Sequence, residues 1–177
     1  MNVKRLLLMW SALLALAGCG SAQTKTPAQD VSPAYAALLK TMYKNTVPTV
    51  TAAELAQLRQ QRPGLALLDT RTAAEYNVSH LAGARFVDYD AFTAAAVRDL
   101  PREQPVVVYC SVGVRSERIG EQLRALGFRD VRNLYGGLFQ WSNEARPLVD
   151  AHGPTQRVHP YSALWGAWLT RGEKAYN

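Results

Sequence analysis

An α/β domain, with a central parallel sheet of about five strands and helices on both of its faces, is the fold class that the sequence predicts. Three observations point there. The runs Leu65-Ala66-Leu67-Leu68 and Val106-Val107-Val108-Tyr109 are short and unbroken in their apolar character, the pattern of strands buried on both sides. Weaker strand candidates stand at residues 47–50, 84–87 and 131–134. Between these segments lie helical patterns, and strands that alternate with helices at such spacing pair in parallel.

Ser32-Pro33 has the form of an N-cap followed by a first-turn proline, and opens a helix that carries Tyr35, Leu38, Leu39, Met42 and Tyr43 on one face, within a segment of residues 32–46. After the strand candidate at 47–50, Thr51-Ala52-Ala53-Glu54 is a capping box, predicting a helix that runs to Gln61 and stops at Pro63-Gly64. Further helical patterns cover residues 91–100, 115–126 and 138–144. Residues 47–148 thus make one domain, and residues 149–177 form an extension that packs on it. Within the extension, Pro160-Tyr161-Ser162 begins a last helix with an apolar stripe of Leu164, Trp165, Trp168 and Leu169, placed beside the N-terminal helix or over the loop after Tyr109.

The start of the chain reads differently. Lys4 and Arg5 precede a short apolar stretch and the small residues Ala17-Gly18, the form of a removable leader of residues 1–18. The apolar stretch is shorter than the roughly 20 residues that a spanning helix needs. Leu16-Ala17-Gly18-Cys19 resembles the lipobox of bacterial lipoproteins, which implies that Cys19 becomes the lipidated first residue of the mature chain. Acyl chains contribute about 0.8 kcal/mol per buried methylene, so two or three of them hold a protein to a membrane. Residues 19–31, rich in Ser, Ala, Gln, Thr, Lys and Pro, read as a flexible tether. Gly20 and Ser21 follow where an Asp would resemble an inner-membrane retention signal. The expected location is therefore the cell envelope, at the periplasmic face of the outer membrane in a two-membrane cell.

Charge and cysteine content narrow the functional classes. Among 177 residues, 20 Lys and Arg against 14 Asp and Glu give a formal charge of +6, and the leader takes two of those cations. The cations are scattered rather than gathered on one face, which favours attraction of small anions over nucleic-acid binding. With Cys19 lipidated, Cys110 is the one remaining thiol, and no internal disulfide can form. His152 and His159 have no companions at ligand spacing, so no metal and no other cofactor is expected.

Cys110-Ser111-Val112-Gly113-Val114-Arg115-Ser116 follows the better of the two strong strands and leads straight into helical sequence. Ligands of parallel sheets bind beyond the carboxyl ends of the strands. A strand, a tight loop and a helix start aim several backbone N–H groups and the positive end of a helix dipole at one point, which makes an anion cradle. A thiolate on Cys110 lies in that field, and a thiolate is the form that attacks sulfur or phosphorus. Gly113 allows the loop to curl closely, Arg115 fixes the loop or reaches a bound oxyanion and joins Cys110 as a candidate catalytic residue, and Ser116 caps the helix or bonds the sulfur.

The loop resembles the Cys-x-x-Gly-x-Arg-Ser active-site motif of the rhodanese-like family. Leu67-Leu68-Asp69-Thr70-Arg71, Glu75-Tyr76 and His80-Leu81-Ala82-Gly83-Ala84 are similar to its upstream markers, and Leu126-Gly127-Phe128, Tyr135-Gly136-Gly137 and Trp141 to its downstream ones. The resemblance implies a three-layer fold and a single-domain sulfurtransferase. Cys110 takes the outer sulfur of a small anionic donor such as thiosulfate, or of a persulfide, and passes it to a thiol or cyanide-like acceptor, which includes a thioredoxin-like protein. It also implies that residues 111–116 bind the substrate and that Asp69 and Arg71 brace the site from behind, with Arg71 meeting Glu75. Ser111, Val112 and Val114 leave the loop less cationic than versions with Lys or Arg beside the cysteine.

Two other readings compete. One is a non-catalytic or persulfide-relay binding module of the envelope, although inactive members of the family typically lose the cysteine. The other is a cysteine phosphatase or arsenate reductase, which uses Cys-x5-Arg. Here four residues separate Cys110 from Arg115, and the smaller ring suits a sulfane sulfur better than a tetrahedral phosphate.

Overall fold

A computed structural model describes residues 31–176. The leader, most of the tether and Cys19 lie outside the described residues, as does the lipid anchor read from them.

Five parallel strands form the central sheet in the order β1-β5-β4-β2-β3: β1 (Thr49–Val50), β2 (Ala66–Asp69), β3 (Arg85–Phe86), β4 (Val106–Tyr109) and β5 (Val131–Leu134). Leu68 is in register with both Val108 and Arg85, and Val108 with Asn133. All four residues of β4 are buried. Alternate side chains of a strand point to opposite faces, and the core divides accordingly. Leu67, Val107 and Tyr109 join one cluster with Tyr35, Leu39, Leu55, Leu138 and Trp141, while Leu68, Val106 and Val108 join another with Ile119, Leu123 and Phe128.

The first cluster is covered by α1 (Pro33–Met42), α2 (Ala52–Gln61) and α5 (Gly137–Asn143), the second by α4 (Val114–Ala125). Their boundaries follow local chemistry. The Ser32 side chain accepts from the Tyr35 N–H at the start of α1, and capping boxes open α2 at Thr51/Glu54 and α3 (Ala73–Val78) at Thr72/Glu75. Residues 91–100 form no continuous helix. Asp88 accepts from the N–H groups of Asp90 and Ala91 and closes a turn there, Thr93 is extended, and the only winding is a 3-10 turn at Ala94–Val97.

The extension departs furthest from expectation. It contains a hairpin, β6 (Leu148–Asp150) with β7 (Gly153–Thr155), and a parallel pair, β8 (Arg157–Val158) with β9 (Glu173–Lys174). Its helix α6 covers only Ala163–Gly166, and the expected apolar stripe is divided: Leu169 is buried in the first cluster, whereas Leu164 is 78% exposed. The last turn of this segment is held by Trp168, which stacks on Tyr35 of α1 with ring centroids 5.5 Å apart.

Candidate active site

The carboxyl ends of β2 and β4 deliver the site. β4 ends at Tyr109, Cys110 follows, and α4 begins four residues later at Val114, with Gly113 as its N-cap at φ 97°. The Gly113 N–H points at Cys110 Sγ over 3.1 Å. No side chain caps α4, so the orphan N–H groups of its first turn and the helix dipole remain directed toward this loop. Cys110 is 1% exposed but not sealed in: it lines a pocket of about 160 Å³ together with Met42, Ser111, Val112, Val114, Arg115, Tyr161 and Trp165. A larger groove of about 620 Å³ between α5 and the C-terminal strands includes none of the loop residues.

The loop is fastened from behind. Leu138 N–H donates to the Cys110 carbonyl (2.8 Å) and Phe139 N–H to that of Ser111 (3.0 Å), so the start of α5 grips the loop backbone. A Cβ at Gly137, itself at φ 59°, would run into the Cys110 carbonyl and the Ser111 backbone. Gly137→Ala is therefore expected to push the loop out of shape and to lower any Cys110-dependent turnover more than tenfold, with about 1–3 kcal/mol lost in chemical denaturation. Turnover that matches wild type would show that this contact is slack.

Tyr43 fastens the loop from the other side. Its hydroxyl donates to the Val112 carbonyl (2.7 Å) and accepts from the Gly136 N–H (3.0 Å), and it fills the space that a Cβ on Gly113 would need. Burial raises this hydroxyl well above its ordinary pKa, so it keeps the proton that it donates. The carboxylate of Glu117, on α4, accepts the Lys44 and Thr46 N–H groups at 3.0 Å each and ties the segment after α1 to that helix. Ser116 does not reach the sulfur. It is fully buried and donates to Asn133 Oδ1 (2.7 Å), while Asn133 Nδ2 donates to the Gly113 carbonyl (2.9 Å).

The ionic groups are arranged otherwise than the sequence suggested. Arg71 does not meet Glu75; it is fully buried against Asp69, with Nε and Nη2 on the carboxylate and Nη2 on the Ser79 carbonyl. Glu75 is taken by Arg115, whose Nη1 and Nη2 donate to its two oxygens at 2.9 and 2.7 Å, and by Ser111 Oγ at 2.5 Å. The Thr72 N–H and hydroxyl complete its coordination. Burial on its own would raise the Glu75 pKa; the bonds and charge of Arg115, with Ser111 and Thr72, reverse that and hold it at about 2. Burial likewise acts to lower the Arg115 pKa, and the Glu75 carboxylate, with Cys110 close by, overrides it and keeps the guanidinium charged.

Above the loop stands the extension. The Arg115 guanidinium lies 5.0 Å from the Tyr161 ring centroid, and the Tyr161 N–H donates to His159 Nδ1 (3.0 Å). His80 serves its own turn, with Nδ1 3.1 Å from the Tyr76 carbonyl and its ring stacked on Tyr76.

Residues 51–144, more than half of the chain, match the family model described as Rhodanese-like domain. The chain belongs to this family. Among curated relatives, it is 30% identical over 100 residues to the "Probable adenylyltransferase/sulfurtransferase MoeZ" of Mycobacterium tuberculosis, a match that covers 56% of this chain and 26% of that protein. It is 36% identical over 88 residues to a tRNA uridine(34) hydroxylase of Streptococcus pyogenes, covering 44% of this chain and 25% of the other. The match thus spans about a quarter of the length of these relatives. Among solved structures, the rhodanese-like domain of Alr3790 from Anabaena sp. superposes with a TM-score of 0.54 at 27% identity, over 58% of this chain and 79% of that one. A thiosulfate sulfurtransferase of Pseudomonas aeruginosa shares the fold at a TM-score of 0.55 and 22% identity, over 79% of this chain and 26% of the other. Met42, Tyr43, Tyr161 and Trp165 all lie outside the stretch that the family model matches.

Proposed function

We propose that this rhodanese-like domain is a sulfurtransferase in which Cys110 is the nucleophile. As a thiolate it attacks the outer sulfur of thiosulfate or of a persulfide, and the sulfite or thiolate behind that sulfur leaves with the bonding electrons. Such leaving groups are stable anions that depart without a proton donor. The resulting Cys110 persulfide then yields its outer sulfur to a thiol or to a cyanide-like acceptor.

The observation that carries this reading is the Gly113 N–H aimed at Cys110 Sγ, at the uncapped start of α4 and at the edge of an open pocket. A persulfide anion there meets fixed donors that need no reorganisation, the form of stabilisation that contributes most in preorganised sites. In this scheme the amides of residues 111–116 receive the anion. Arg115, engaged by Glu75, is a positioning residue that holds the loop, and the buried Asp69–Arg71 pair supports the floor behind it.

Incubation of the purified protein with thiosulfate and with an organic persulfide, followed by intact-mass measurement, tests the scheme. Cys110 is expected to gain the mass of one sulfur atom, and a thiol or cyanide is expected to remove it. Failure of every donor to load Cys110 rejects it.

A further inference from the structure

We infer that the pocket over Cys110 selects an organic hydropersulfide, a small R–S–SH donor with an apolar body, and that Met42, Tyr161 and Trp165 are the selecting residues. The inference rests on the sulfur-transfer reading and adds to it the class of donor.

Most of the pocket wall is apolar: Met42 from the end of α1, Val112 and Val114 from the loop, and Tyr161 and Trp165 from the extension. Arg115 is the one charged side chain in that wall among the described residues, and its charge is already paired with the Glu75 carboxylate. Both terminal nitrogens bond Glu75, Nη2 also bonds Ser111 Oγ, and the Tyr161 ring lies over the guanidinium. A thiosulfate dianion that entered would shed its hydration against aromatic rings and meet a cation whose charge Glu75 already balances, which is a costly transfer. An organic persulfide brings one ionisable sulfur to the amides of the loop and buries its carbon body against the collar, which is a favourable one.

The collar is held rather than draped. Tyr161 N–H donates to His159 Nδ1, Trp165 N–H to Ser162 Oγ (3.4 Å), and Trp168 stacks on Tyr35. Asn143 of α5 donates to the Trp168 carbonyl (2.9 Å) and accepts from the Thr170 N–H (2.8 Å), which fixes the far end of the segment to the domain. Since Met42, Tyr161 and Trp165 stand outside residues 51–144, the donor preference belongs to this chain's own additions to the shared fold.

The step balances without an outside oxidant. Cys110 thiolate forms a bond to the outer sulfur of R–S–SH as the donor's S–S bond breaks. The electron pair leaves on RS⁻, which takes a proton from solvent, and the product is Cys110–S–SH.

Steady-state rates with benzyl hydropersulfide and with thiosulfate, at a fixed thiol acceptor, give the ratio of two kcat/KM values for wild type, Tyr161→Ala and Trp165→Ala. Wild type should favour the benzyl donor, and each variant should lower the ratio about tenfold, as loss of one apolar wall does in other pockets. Tyr161 is 51% exposed, so its truncation spares the core, and circular dichroism of both variants checks that the fold persists. A wild-type preference for thiosulfate, or a ratio that neither variant moves, overturns the inference while leaving sulfur transfer standing. If neither donor loads Cys110, the sulfur-transfer reading fails and the inference fails with it, a result visible by mass and distinct from the other two.

Discussion

Cys110→Ser is expected to end sulfur transfer while leaving the fold intact. A serine hydroxyl stays protonated at neutral pH and is a poor nucleophile toward sulfur, so the covalent relay has no carrier. Removal of a covalent nucleophile commonly lowers turnover by about four orders of magnitude or more. The structural cost is small, because the contacts that shape the loop are made by its backbone: the Cys110 and Ser111 carbonyls are bonded by Leu138 and Phe139, and Val112 by Tyr43. The oxygen of serine can also accept the Gly113 N–H. Donor-dependent product formation and a urea titration, run on the same preparation, separate the two effects. Transfer that survives in this variant would falsify the mechanism.

The second large effect falls on Glu75. Its carboxylate receives Arg115, Ser111 and Thr72, and it is 1% exposed. Glu75→Gln keeps the volume but turns one acceptor into a donor. On either oxygen that donor would face an Arg115 nitrogen, and the guanidinium would stay charged without its counter-ion. Breaking a buried pair in this way typically costs about 3–5 kcal/mol. The pH dependence offers an independent check. The folded-state pKa of Glu75 is depressed from 4.5 to about 2, so its contribution, about 3 kcal/mol, is fully present above pH 4.5 and is lost as the pH falls toward 2. Wild type should therefore lose stability over that acid window, whereas Glu75→Gln, less stable at neutral pH, should vary less across it. Parallel acid profiles for the two proteins would show that the carboxylate is not the group involved.

Much of the fold could be read from local signals. The apolar runs at β2 and β4 and the Thr51/Glu54 capping box are short-range patterns with one physical outcome, and the sheet follows from their alternation. Glycine conformations at the loop were legible for the same reason. What escaped depended on distance along the chain. The family resemblance implied that Arg71 meets Glu75, four residues further on. The turn into α3 instead leaves Arg71 on Asp69 and presents Glu75 to Arg115, forty residues away. Ser116 looked free to cap or to touch the sulfur, but the bend of the loop buries it on Asn133. Nothing in the order of Leu164, Trp165, Trp168 and Leu169 shows that the backbone unwinds after Gly166 and splits them between pocket, core and solvent. Tyr43 gave only the signal of an apolar helix position, with no hint that its hydroxyl would meet two backbone groups at the centre of the site.

That tyrosine sets the size of the smallest working piece. A fragment trimmed to the boundaries of the shared family would keep four of the five sheet strands, the cysteine and the helix behind it, yet would leave a hole beside Gly113 and strand the Val112 carbonyl and the Gly136 amide without their common tie. The functional unit of this chain therefore begins upstream of its recognisable core, and anyone excising it for study or for fusion should cut before Ser32.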